Sequence, residues 1–585
     1  MTKPTLTLEH ALYALALAIA LTLRFLHLGA LPLSDYEADW AMQAFRLAAG
    51  LRPDLGPDPA YVHLTAILFY ILGATNFLAR FWPALAGSAL VLGPWFLRGR
   101  LGRLPALILA FGLAIDPGLA GLSRLAGGPM LALAFVVFAG LMWLNSRRAL
   151  AGLFGGLALL SGPSVWFGLS GLGLAWVAAS FFEPKAPAQP VKKTRRQAAD
   201  LPRPKTSGPG PERPAWEQLK VALLWAAGTV LTVGSLFVLS PQGLPAFVKS
   251  LLAFLRGWVT LSGVPLWQPL LALPAYELFP LGFAIAGVVR GILRKDADAR
   301  RLGLWALVAL VLALVYPGKQ TGDLAWALLP LWVLAAFELS HHFDFAGHRP
   351  WQLAGMITLV FSLLIFAWLE LASLTTLDPT MEAARVRWLL LGAIALLIGL
   401  GLLVSGVGWS TAVARLGGIW GMVPALVLFT LAMATGATGL REPRTLDLWQ
   451  PEPRTAHPQL LPKVAGQISE LNAGYDAQLP LTITGVDSPA LLWLFRNWQV
   501  QEAAGLAADA APQLIITPMG ELSLTAKYRG ETLTLSELAV WEAATRGDWL
   551  KWLVYRQIPI SSEDVILWVR SDLTLDSQGV PETAP

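Results

Sequence analysis

The sequence predicts an all-α polytopic membrane domain of about 13 spans, followed by a small α/β domain on the outer side of the bilayer. Composition is the first ground. Of 585 residues, 55% are hydrophobic and 14% charged, and mean hydropathy is +0.57. Many long apolar runs produce such values; soluble chains of this length do not. The 25 Trp are the second ground, because Trp favours both membrane–water interfaces. The third is a change of character at residue 441, after which Pro, Glu, Arg and Asp are common and no apolar run is long enough to cross. The reading is therefore a membrane domain over 1–440, a linker over 441–459 and an extracytoplasmic α/β domain over 460–585.

The same composition excludes several classes. Net charge is +5, with the cations gathered in a few loops, which is a topology signal rather than a nucleic-acid surface. No cysteine is present, so disulfides, thiolate metal sites and Cys nucleophiles are ruled out.

In chain order, residues 10–29 read as a retained signal-anchor span. Arg24 and His27 share one face near its outer end. Arg24 either snorkels to the headgroups or serves a site, since a charge that deep is a functional hint. Asp35, Asp39, Gln43 and Arg46 then recur at helical spacing, opposite Tyr36, Trp40, Ala41, Ala44 and Phe45. That pattern predicts a membrane-surface helix carrying carboxylates just outside the bilayer. Ser34 and Glu37 also have the spacing of a capping box, and a cap can fix an acid in place. A second surface helix starts near Ala60. Spans follow at 81–97, 105–120 and 131–146, two more within 149–182, and then at 219–240, 275–293, 302–316, 324–340, 353–373, 387–406 and 417–436. The segment 183–218 is Pro-rich and basic, hence a disordered loop. His341, Asp344 and His348 lack a neat i,i+4 pair and read as a wet loop, not a metal site. In the last domain the pattern predicts helices at 464–473, 489–498 and 536–553, and strands at 480–485, 513–517, 523–534 and 564–570.

Loop charge sets an expected orientation. With a cytoplasmic N-terminus, the inside loops hold roughly 22 Lys and Arg and the outside roughly 10. This places Asp35, Arg124, Lys319 and the last domain outside, in a multi-pass protein of the plasma (cell) membrane.

Three stretches then resemble the membrane glycosyltransferases of the GT-C class, in particular the family-39-like group related to protein O-mannosyltransferases. They are RFLHLGALPLSDYEADWAMQA, AIDPGLAGLSRLAGGPM and YPGKQTGDLAWALLPLWVLAA. The C-terminal WLFRNW and LKWLVYR look more like an archaeal and bacterial flippase-associated offshoot. The resemblance implies transfer of a hexose, as in the mannosyltransferases, from a polyprenyl-phosphate-linked donor to a glycan, lipid or protein acceptor on the outer face, among membrane lipids. The absence of an acid after Ser123-Arg124 argues against a metal, and no other cofactor is certain. An external carboxylate, Asp35 or Glu37, would take the acceptor proton. Arg124, Lys319 and Arg24 would meet the donor phosphate, and Asp35 is expected to pair with Arg124 while the site is empty. The chain departs from the group in two places. Tyr36 stands where the group has Asp directly before Glu, and no acid follows Ser123-Arg124. A non-catalytic partner of the same fold, in glycan assembly or lipid-linked sugar flipping, is therefore the alternative. A transporter is a third reading, but the paired repeats and mid-span charges it needs are not evident.

Overall fold

The structure is a computed structural model and describes residues 7–182, 215–345, 347–377, 381–441, 447–449 and 453–573. Most of the expected disordered loop lies outside the described residues, and 215–218 open the helix Ala215–Gly234.

Each expected span falls on a helix or, for 81–97, on the contiguous pair Asn76–Leu90 and Gly93–Leu101. Among the described helices, seven are long and apolar enough to cross a membrane. An eighth candidate is the pair Trp267–Tyr276 and Leu278–Arg294, bent by 90° at Glu277. The rest of the bundle is shorter, including Arg103–Ile115, Met130–Leu144 and Arg148–Leu159. Thr321–Ser340 is the central span, 89% buried, whereas Glu382–Gly408 is 11% buried and peripheral. An apolar helix turned outward on most of its surface is one that faces lipid.

The helix Asp35–Ala48 begins as its sequence requires. Ser34 accepts from the Glu37 amide at 3.3 Å, and Glu37 reaches back to the Ser34 amide at 3.2 Å, a complete capping box. The second expected surface helix, Pro59–Leu72, is less superficial than its pattern implies. Ala60, Tyr61, Val62 and His63 are buried, because this helix packs against Asp35–Ala48, Asn76–Leu90, Ala215–Gly234 and Gly243–Arg256.

That domain holds a six-stranded sheet: β1 Arg454–Thr455, β2 Leu481–Thr484, β3 Val500–Ala503, β4 Leu514–Pro518, β5 Tyr528–Ala539 and β6 Ile560–Arg570, in the order β1-β5-β6-β4-β2-β3. β2 pairs in parallel with β3 and β4, and the other pairs are antiparallel. β1 arises within residues 441–459. Two expectations fail locally. β5 runs on to Ala539, and the helix expected from 536 starts only at Arg546. Residues 532–539 pair with β6 across an irregularity between Thr534 and Ser536, so sheet pairing overrides the helix-forming Glu, Leu and Ala there.

Two patches dock the domain on the bundle. In one, Trp493 lies against Phe69 and Phe45 and donates its indole N–H to Asn76 at 2.8 Å. In the other, Trp541, Trp549 and Trp552 stack with one another and against Trp267 and Tyr276. Aromatic surface of this extent supplies most of the docking energy. A cavity lies between the patches.

Candidate active site

The cavity, about 630 Å³, is walled by Ser34, Tyr36, Glu37 and Arg80 from the first helices and by Gln268, Gln320 and Thr321 from the later ones. Arg454, Trp541 and Glu542 of the C-terminal domain complete it. A second cavity of about 380 Å³ adjoins it, sharing Tyr36, Gly128, Pro129, Ser262 and Gln320, and adds Asp58, Ser161, Tyr316 and Asp323. Between the two runs the loop 123–129. Gly127 in it has φ +69°, and a Cβ there would meet the Trp40 ring at 2.3 Å. Only glycine allows that approach, which brings the Gly127 carbonyl to the Tyr36 hydroxyl at 2.6 Å.

Glu37 is 2% exposed and fully engaged. Arg80 grips it in two-pronged fashion, Nε to Oε1 at 2.7 Å and Nη2 to Oε2 at 2.6 Å. The Ala126 amide adds a third donor at 3.0 Å. Arg80 spends its remaining N–H groups on the carbonyls of Leu28, Leu31 and Pro32. This is a buried, satisfied ion pair tying the first loop, the helix Asn76–Leu90 and the loop 123–129 together.

Asp35 is not part of the cavity wall. Its Oδ1 accepts from the Ser488 hydroxyl at 2.6 Å and the Ala490 amide at 2.9 Å, at the start of Pro489–Leu494 in the C-terminal domain. Asp35 is thus a docking residue.

The expected phosphate partners are placed elsewhere. Arg124 does not pair with Asp35. Its guanidinium donates to the carbonyls of Leu23, Arg24, Leu26 and His27 at 2.8–3.2 Å, closing the end of the helix Leu8–Phe25. Arg24, fully buried, does the reciprocal thing, reaching Ala114 O and Leu113 O at 3.0 Å and Ser123 Oγ at 3.2 Å, at the end of Arg103–Ile115. The expectation that each buried cation needs an acid overlooked that carbonyls at a helix C-terminus carry partial negative charge and lack intrahelical donors. Burial holds Arg124 at about 10, still cationic at neutral pH. Lys319 is half-buried and its ammonium has no hydrogen bond or ion pair among the described residues; its neighbours Gly318 and Gln320, not Lys319 itself, line the cavities. No group of three or more His, Cys, Asp or Glu fit to hold a metal occurs among the described residues.

Arg454 was missed by sequence reading because it sits in a stretch that reads as linker. It enters the cavity on β1, within electrostatic reach of Asp447, Arg80 and Glu37, and burial lowers its affinity for its proton. Ser262 Oγ, Thr321 Oγ1 and the indole N–H groups of Trp449 and Trp541, all on wall residues, are buried without a partner among the described residues.

No protein-family model matches the chain, and no curated protein does. Among solved structures it is similar to ArnT of Cupriavidus metallidurans bound to undecaprenyl phosphate, at 15% identity and TM-score 0.53 over 96% of this chain and 99% of that one. The apo state of the same enzyme matches at 16% identity and TM-score 0.51, over 88% and 94%. Architecture of this kind, a helical membrane bundle capped by a sheet domain with a cavity between, is the GT-C fold. The chain has that fold and is a multi-pass membrane protein.

Proposed function

We propose that this protein is a membrane glycosyltransferase that takes a sugar from a polyprenyl-phosphate-linked donor and passes it to an acceptor on the outer face of the cell membrane. One observation carries the reading: the junction cavity has two arginines, Arg80 and Arg454, and unpartnered buried hydroxyl and indole groups on its wall residues. Its volume suits a phosphosugar. Leaving such groups unmet costs roughly 1–3 kcal/mol each, and a sugar's hydroxyls meet them. Arg454 answers the charge that grows on the leaving phosphate, and the Arg80–Glu37 pair holds the wall beside it. The ArnT complex, with undecaprenyl phosphate in a similar fold, supports the donor class. The sequence resemblance to the family-39-like mannosyltransferases supports a hexose as the sugar. Loop charge supports a cytoplasmic N-terminus and an external C-terminal domain.

Glu37 and Asp35 serve this site by holding its walls. Glu37 fixes Arg80, and Asp35 seats the domain that brings Arg454. A second reading, the non-catalytic partner, draws on one observation: Tyr36 occupies the position of the group's acid, and Glu37 is locked. Purified protein in liposomes of total cell-envelope lipids, given labelled undecaprenyl-phosphate hexose, separates the two. Transfer of label to any lipid, glycan or peptide acceptor, lost in Arg454→Ala, supports the enzyme. Donor binding with no transfer under any condition supports the partner.

A further inference from the structure

The two joined cavities differ in charged groups. In the larger, Arg80 and Arg454 stand with Glu37 and Glu542; the smaller is lined by Asp58 and Asp323 and by no Lys or Arg. Asp58 is 2% exposed and precedes the helix Pro59–Leu72. Its Oδ1 accepts from the Tyr61 amide at 3.2 Å, which caps that helix. Its Oδ2 has no partner among the described residues and borders the open space beside Gly162. Asp323 is used the same way, one oxygen taken by the Gln320 amide at 2.9 Å and the other unengaged among the described residues. Both of these oxygens are open to the cavity rather than sealed inside the protein, which is where a ligand can bring them a hydrogen.

We infer that Asp58 is the general base of the transfer, accepting the proton of the acceptor hydroxyl through Oδ2, with Asp323 of the same cavity binding the same acceptor. This rests on the glycosyltransferase reading above. The acceptor oxygen forms its bond to the anomeric carbon as the bond from that carbon to the phosphate oxygen breaks. The electron pair leaves with the polyprenyl phosphate, whose added charge falls to Arg454. The proton goes to Asp58 and from there to solvent.

Burial raises the Asp58 carboxyl to about 7, in the range where a base works best at neutral pH. The other titratable groups on this wall are Tyr36, Tyr316 and Asp323. His63 is held by the Val233 carbonyl, and Lys249 by Asp54 and the Leu55 carbonyl, so no cation holds Asp58 ionised.

The test uses the full-length protein in liposomes with labelled undecaprenyl-phosphate hexose, scoring label passed to lipid acceptor or to water. Asn also caps helices, so Asp58→Asn keeps the fold. Its expected kcat is about 100-fold or more below wild type, with donor affinity within threefold. The wild-type kcat should rise with pH through an apparent pKa near 7, and the residual activity of Asp58→Asn should lack that step. Asp323→Asn should raise the acceptor KM more than it lowers kcat. If wild type transfers and Asp58→Asn retains a third or more of its kcat, this inference falls and the enzyme reading stands. If wild type binds donor but never transfers, both fall together.

Discussion

Two pairs of arginines have opposite uses. Arg124 closes the end of Leu8–Phe25 and Arg24 the end of Arg103–Ile115, on backbone carbonyls and, for Arg24, the Ser123 hydroxyl as well. Arg80 and Arg454 face a cavity, and Arg80 also holds Glu37. A buried cation therefore does not mark a site by itself. What separates the pairs is what lies beside the guanidinium: helix ends for Arg24 and Arg124, a cavity for Arg80 and Arg454.

The comparison can be broken in order of effect. Glu37→Gln leaves Arg80 without its counter-charge in a buried setting. A loss of about 3–5 kcal/mol is expected, read as a drop in detergent-solubilised thermal stability together with loss of transfer. An unchanged melting curve would mean the ion pair is not what holds the first loop.

Arg124→Ala removes the donors from the end of Leu8–Phe25. It should cost about 2 kcal/mol of stability, while the folded fraction binds labelled donor with wild-type affinity. Weakened binding at preserved stability would return Arg124 to the phosphate.

Arg454→Ala should do the reverse. Donor affinity should fall about tenfold, some 1.4 kcal/mol, measured by titration of undecaprenyl phosphate, with stability nearly unchanged. Higher salt should not rescue it, as the site is enclosed.

The smallest effect belongs to Asp35→Asn. The amide oxygen can still accept from Ser488 and Ala490, so transfer should stay within threefold of wild type and protease resistance of the C-terminal domain should be kept. Asp35→Ala, which deletes the acceptor, should expose that domain to limited proteolysis. Abolished transfer in Asp35→Asn would make Asp35 the base and displace Asp58.

Much of the fold was legible in the residues. Apolar runs marked where helices lie, and Ser34 with Glu37 marked a helix start that the structure reproduces. The strand at 480–485 and the helix at 464–473 were also found, β2 and Leu460–Ala473, since both have clear periodicity and end at Gly485 and Gly474. β1 and β3 were not. Each is short and takes its conformation from a partner strand rather than from its own pattern. In the site, Glu37 was singled out by its motif, but Asp58 was not. It precedes a Pro and a helix, as ordinary caps do, and nothing local says that one of its oxygens faces a cavity.

The sequence by itself determined that this is a membrane bundle with a sheet domain behind it, because hydropathy and periodicity are local properties that act through burial. Only the tertiary structure decided which charges work. Asp35 finds its donors 453 and 455 residues away, Glu37 its arginine 43 away and Arg24 its carbonyls 89 and 90 away. A charged side chain in an apolar setting takes the lowest-energy partner within a few ångströms, and distance in space between helices is not written in the spacing along the chain.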